Sequence, residues 1–390
     1  MEFDYSEIRY YEDKDLKEVI ERLIEEPTIY RVGRYVFGDI TDEELRTKLR
    51  SYKTVRDFQV KFILEIIIKL VKKSTDGVTS NKVDRYSHDK KAKYVFITNH
   101  RNIVMDASLL NYQLAMEYGE DFESTSIAIG NNLLGIPWVK DLARLNKSFI
   151  VIRDAAVQQM LINSKVLSQY MRTLIKESIS SVWIAQREGR TKDGNDYTQP
   201  GLLKLLQMSG SKDFVENISN LHIVPVAISY EDDPCITDKV KELAAIENEG
   251  EYIKGPLDDF NSMYNGLMGQ KGRAHLNFGD EITAETLSQI DTSLNRNEKI
   301  KKLAEIIDEF IYSNYKLWEN NYIAADILNA NSQFDNEYTD QQKAEFINTM
   351  SEKIGSLEGD RTQLERIYLR MFAYPVKNAN KNNTKYNFDF

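Results

Sequence analysis

At 390 residues, 42% of them hydrophobic and 29% charged, the chain has a globular composition and room for one large domain or for a domain with appendages. Its formal charge of −10 argues against a nucleic-acid partner, which a basic face would mark. The single Cys235 excludes a disulfide framework and points to a reducing compartment.

MEFDYSEIRYYEDKD lacks the basic-then-apolar order of a secretory signal. No apolar run reaches the roughly 18 residues a membrane span needs, so none is expected, and the expected location is cytoplasmic. Residues 12–73 read as helical, with LKEVIERLIEE and DEELRTKLRSYK at helix spacing. In the most apolar segment, Phe58 to Lys73, the charges Lys61, Glu65, Lys69 and Lys72 fall on one narrow stripe. The rest of that helix must be buried, in protein by the first reading and in lipid by the second. Between Arg31 and Lys93, 16 Lys and Arg face 9 Asp and Glu. Such a basic surface suits an anionic membrane, at about 1 kcal/mol per nearby cation.

Residues 74–92 are polar and turn-rich and read as a connection, with His88 an exposed residue in it. From Lys93 to Ile282, β-rich runs alternate with helical patterns. The runs are YVFIT, STSIAIG, SFIVI, SSVWIA, HIVPVAISY and AHLNFG. Alternation of this kind predicts an α/β sheet with crossover helices. Beyond Ile282 the pattern is helical only, through a continuous 299–328 and then 341–358, before a frayed Asn- and Lys-rich end. The expected organisation is a helical region over 1–85, a catalytic domain over 86–283 and a helical extension over 284–390.

The chemistry starts where YVFIT ends, at Asn99-His100, with Asp106 heading the next apolar segment. A carboxylate beside an imidazole stabilises the imidazolium, so the pair can deprotonate a hydroxyl at neutral pH. Three later blocks follow in order. They are GNNLLGIPWVKDLARLNKSFIVIRD with Arg153, WIAQREGRTKDG with Glu188, Gly189 and Arg190, and HIVPVAISYE with Val224, Pro225 and Val226.

Together and in this order the blocks resemble the glycerolipid acyltransferase superfamily, the glycerol-3-phosphate and lysophosphatidic acid acyltransferases, over roughly residues 93–282. The stretch Gly130–Arg153 is similar to the glycerol-3-phosphate branch. Two spacings depart from the family. Five residues rather than four separate His100 from Asp106, and no residue stands between Gly189 and Arg190. A strand-to-helix loop can absorb one extra residue.

The resemblance implies an acyltransferase-type mixed sheet with surrounding helices and the transfer of a fatty acyl group from a thioester to an alcohol. It implies His100 as general base, oriented by Asp106, with backbone N–H groups at the next helix N-terminus as default oxyanion donors. Arg153 and Arg190 would hold an acceptor phosphate. Glu188 would contact the acceptor hydroxyls or order Arg190, and Lys192 is a weaker candidate for the phosphate. The implied donor is acyl-CoA or acyl carrier protein, and the acceptor is glycerol 3-phosphate or the lysophospholipid 1-acylglycerol 3-phosphate. No cofactor or metal is called for, and peripheral attachment to the inner face of the cell membrane is expected.

Other readings stand beside these. Asp106 is equally a helix cap, Arg153 with Asp154 a surface pair, and Gly189 a turn residue with positive φ. Cys235 reads as incidental, and His222 and His275 as buried, hydrogen-bonded residues. The same residues also fit acylation of an amino-acid-headed lipid, or a non-catalytic lipid-binding protein.

Overall fold

A computed structural model describes residues 4–86, 92–153, 156–255 and 257–390. His88 and Asp154 lie outside the described residues. Seven strands, β1 (Val78–Asn81), β2 (Val95–Thr98), β3 (Ser126–Gly130), β4 (Ser148–Val151), β5 (Val182–Ala185), β6 (Ile223–Tyr230) and β7 (Ala274–Phe278), form one sheet in the order β1-β7-β6-β2-β5-β3-β4. The five strands from β6 to β4 run parallel. β7 lies antiparallel to β6 and parallel to β1, so the sheet is mixed.

Parallel strands covered by helices on both faces need apolar side chains on both faces, and β2 supplies them. Val95 and Ile97 pack into one core with Val182, Ile184, Ile223 and the helices Val157–Lys176 and Arg296–Asn314. Phe96 points the other way, into a core with Trp183, Val224, Val226, the N-terminal helices and Met105–Tyr118. A third core joins Ile236–Glu249 to the helices Glu319–Leu328, Asp340–Gly355 and Arg361–Ala379. Pro225 cannot donate to a ladder, and it stands where β7 stops. Only its carbonyl is used there, accepting from Gly279 N at 2.8 Å.

The structure amends several expectations. β1 arises in the stretch 74–92, read as a connection. Its sequence, VTSN, carries too little apolar alternation to mark a strand, and it forms an edge by pairing with β7. The helical pattern over 299–328 is interrupted between Asn314 and Glu319, where Tyr315 and Trp318 are extended. The C-terminal end is packed rather than frayed. The Tyr386 ring lies 4.7 Å from that of Phe334, and Phe390 meets Tyr374. The helix Arg361–Ala379 and the two helices between β6 and β7, Ile236–Glu249 and Asp258–Met268, were not among the predicted elements.

The apolar segment Phe58–Lys73 lies within a continuous helix from Val55 to Ser74, whose middle turn is widened so that Leu64 N–H reaches Gln59 O. Phe58, Phe62, Ile67 and Leu70 are buried, so the first reading, burial in protein, holds. Truncating fully buried Phe62 to Ala should cost about 3–5 kcal/mol. The check is a drop in the urea midpoint with an unchanged slope, and a cost below 1 kcal/mol would contradict this packing.

Candidate active site

Because β2, β5, β3 and β4 are parallel neighbours, the loops after them share one edge of the sheet. His100 follows β2. Arg187 to Arg190 follow β5, one strand away, and Arg153 follows β4. At about 4.8 Å per strand, β4 lies roughly 14 Å from β2, yet the Arg153 side chain shortens that gap. Its guanidinium passes over Gly130 at the end of β3, where an added Cβ would sit 3.1 Å from Cζ, and its Nη1 stands 3.4 Å from Glu188 Oε1. Asn131 Oδ1 accepts from Arg153 N at 3.1 Å. A Cβ at Gly130 would meet Asn132 Oδ1 first and then the guanidinium, so the absent side chain leaves room for both.

The turn between β2 and the helix Met105–Tyr118 absorbs the extra residue of the His–Asp spacing. His100 Nδ1 lies 2.9 Å from Asp106 Oδ2. A carboxylate only accepts, so Nδ1 carries the ring proton and the Nε2 lone pair is left to act. The ring stands edge-on to Trp183, and the His100 side chain keeps 13% exposure while Asp106 has none. Asp106 Oδ2 also accepts the backbone N–H groups of Arg101 and Asn102, and Oδ1 accepts the Tyr230 hydroxyl at 2.8 Å. One carboxylate thus meets the ring and holds the loop before the helix, without capping the helix itself. Asn102 Oδ1 takes the next N–H groups, those of Val104 and Met105. These four donors, where oxyanion stabilisation was expected, are already engaged.

A second buried carboxylate ties the two loops together. Asp196 Oδ2 accepts from Asn99 Nδ2, Arg101 Nε and Arg101 Nη2, and Oδ1 accepts from Thr191 Oγ1. Thr191 N in turn donates to His100 O at 2.7 Å. Burial opposes the charge on Arg101, but Asp196 holds its pKa above the usual value. Lys239 closes the back of this layer, donating to Arg101 O and to Asp233. Burial pushes the Asp233 carboxyl up, but Lys239 and, more distantly, Arg190 bring it below the ordinary carboxylate range. Asn99, Arg101, Asp196 and Tyr230 were not singled out from sequence. Only Asn99 and Arg101 carried a signal, by flanking His100.

Gly189 has φ +70°, as its turn reading requires. Arg190 Nη1 and Arg187 Nε are buried without a hydrogen-bond acceptor among the described residues, and Arg187 stacks 4.5 Å from the Tyr197 ring. Glu188 is largely exposed, while its N–H is fixed by Gln199. Lys192 is engaged by Glu242 in an ion pair, whereas Arg187 and Arg190 each keep a nitrogen without an acceptor among the described residues. Cys235 is buried with its thiol pushed up to about 11 by burial, unsuited to nucleophilic work. His222 is paired with Glu281 but half exposed rather than buried, and His275 meets Thr79 Oγ1.

Residues 79–229 match the sequence profile of the family described as Acyltransferase. Over this stretch the chain is similar to the glycerolipid acyltransferase superfamily. A glycerol-3-phosphate acyltransferase of Pseudoalteromonas translucida (strain TAC 125) is 28% identical over 211 residues, which is 54% of this chain but only 23% of that protein. The crystal structure of the 1-acyl-sn-glycerophosphate (LPA) acyltransferase of Thermotoga maritima aligns with 76% of this chain and 97% of its own, at 12% identity and a TM-score of 0.34. The acyltransferase domain thus spans the strands that present His100, Arg153 and Arg190.

The floor of the Arg190 loop comes from beyond the matched region. Asp308 accepts from Thr198 N and Oγ1 at 2.7 and 2.6 Å, Tyr312 donates to Asp196 O, and a Cβ on Gly194 would meet Met371 O at 2.4 Å. Burial raises the Asp308 carboxyl to about 6, against the pull of Thr198. Its folded pKa exceeds the unfolded one, so its contribution to stability is present below about pH 4 and is lost as pH rises through about 6. Asp308→Asn should remove a change on the order of 2 kcal/mol between pH 4.5 and 6.5. Urea melts of both proteins at pH 4.5 and 6.5 measure it, and parallel pH trends would contradict it.

Proposed function

We propose that the protein transfers a fatty acyl group from a thioester, on coenzyme A or acyl carrier protein, to a hydroxyl of glycerol 3-phosphate or its 1-acyl derivative. His100 Nε2 takes the hydroxyl proton as the oxygen attacks the thioester carbonyl. Asp106 keeps the imidazolium oriented and neutralised, a general-base contribution of about 10²–10⁴-fold. The tetrahedral oxyanion collapses, the C–S bond breaks, and the leaving thiolate receives the proton from His100.

The observation that carries the acceptor class is the pair of buried guanidinium nitrogens, Arg190 Nη1 and Arg187 Nε, with no acceptor among the described residues. Buried polar groups are normally satisfied, and a phosphate offers oxygens at the geometry a guanidinium needs. Arg153, held by only a 3.4 Å contact to an exposed Glu188, can contribute a further fork. The 2.9 Å His100–Asp106 contact favours catalysis over a non-catalytic scaffold.

Peripheral membrane attachment belongs to this proposal. Among the described residues no helix is long and apolar enough to cross a membrane, and the helix Val55–Ser74 is spent on the core. Leu257, Phe260 and Tyr264 are 63%, 40% and 57% exposed on one side of the helix Asp258–Met268. The other side of that helix meets the catalytic loop, where Gly266 O accepts from Asn102 Nδ2. Asp259 meets Asn132, beside the Gly130–Arg153 contact. An amphiphilic acceptor would arrive here from a bilayer surface.

His100→Ala should lower transfer from a labelled acyl thioester by at least about 10²-fold with the fold intact by circular dichroism. Arg190→Gln should raise the KM for glycerol 3-phosphate about 10- to 100-fold, the loss of a charged hydrogen bond. A panel offering glycerol 3-phosphate, 1-acylglycerol 3-phosphate and an amino-acid-headed lipid to the purified protein decides the acceptor. Turnover of the amino-acid lipid alone would refute the phosphate reading. Leu257→Ser with Phe260→Ser should reduce flotation with phosphatidylglycerol vesicles several-fold, and unchanged flotation would remove this surface from the proposal.

A further inference from the structure

Asp106 Oδ2 is pinned by three donors, but a carboxylate pinned at one oxygen can still swing about its Cβ–Cγ bond. The second oxygen, Oδ1, meets the phenol of Tyr230, the last residue of β6, which is itself buried and reaches Asp106 at 2.8 Å. We propose that Tyr230 is a positioning residue of the reaction: by holding Oδ1 it fixes the plane of the Asp106 carboxylate and hence the aim of His100 Nε2. This rests on the reading of His100 as the base.

The placement follows from topology rather than from sequence proximity. β6 is the parallel neighbour of β2, with Val226 paired to Thr98, and it continues to Tyr230 after β2 has ended, so its last residues lie beside the loop that follows β2. Tyr230 thus lies beside a loop 124 residues away in sequence. Burial and the Asp106 charge raise the Tyr230 phenol well above its usual pKa, so it remains a donor across the working pH range. The other charged groups around the pair are compensated. Arg101 faces Asp196, and Asp233 faces Lys239. Tyr315 lies against Arg101. Among these groups, Tyr230 is the one that donates to Oδ1.

The phenol also tempers the charge on Asp106. With one donor fewer, the carboxylate stabilises the imidazolium more strongly, so the base is lost to protonation at a higher pH. Tyr230→Phe keeps the ring and deletes only the hydroxyl. In this variant kcat should fall about tenfold with the acceptor KM within twofold of wild type. The acidic limb of the kcat/KM profile should move to higher pH by about half a unit, which a role in packing alone would not produce.

A readout independent of turnover is the low-field proton resonance of the His100 Nδ1–H, assigned by its absence in His100→Ala. In Tyr230→Phe it should shift or broaden. A kcat within twofold, an unmoved acidic limb and an unmoved Nδ1–H resonance would together overturn the proposal. If the wild-type protein turned over no acceptor at all, the function proposed above would fall, while the resonance would still decide whether Tyr230 positions the pair.

Discussion

The arrangement depends on one carboxylate placed where water does not reach it. A buried polar group is costly unless its hydrogen bonds are made. Asp106 makes them by accepting from two backbone N–H groups, one phenol and one imidazole. It also sits in the first turn of the helix Met105–Tyr118, where the helix dipole favours negative charge. The groups that stabilise the charge also fix the shape of the loop, so the electrostatics and the geometry of His100 have a common origin.

Asp196 repeats this logic at longer range. It draws together Asn99 and Arg101 from the loop after β2 and Thr191 from the loop after β5. His100 and the cationic loop are thereby set by shared hydrogen bonds as well as by strand spacing. Buried ionic networks of this kind add little net stability, since desolvation offsets most of the attraction. Their effect is to exclude other loop conformations. Glu242 does something comparable for Lys192, and this explains why one basic residue in a cationic stretch is not available to a ligand while its neighbours are.

What could be read from the chain followed the strength of the local pattern. Six strands were legible because their apolar runs are β-branched or aromatic and bounded by turn residues. β1 was not, since VTSN becomes a strand only by pairing with β7. The order of the blocks around His100, Arg153, Arg190 and Val224–Val226 was enough to show the likeness to acyltransferases that the match over residues 79–229 supports. Tyr230, Asp196 and Asp308 were illegible for one reason. Each acts on a partner about 95 residues or more away, through a contact that no periodicity encodes. Lys192 shows the reverse failure. Its position in the loop was right for a ligand contact, but its counter-ion came from a helix that the pattern did not reveal.

The close approach of Gly194 to Met371 bears on where this domain ends. A β-carbon at 194 has no room above the carbonyl of Met371, and Asp308 and Tyr312 hold the same segment from beneath. The terminal helices are therefore a foundation for the rim that carries Arg190 rather than an appendage to it. An excised fragment ending near residue 283 would leave that rim without its support, however complete its signature residues.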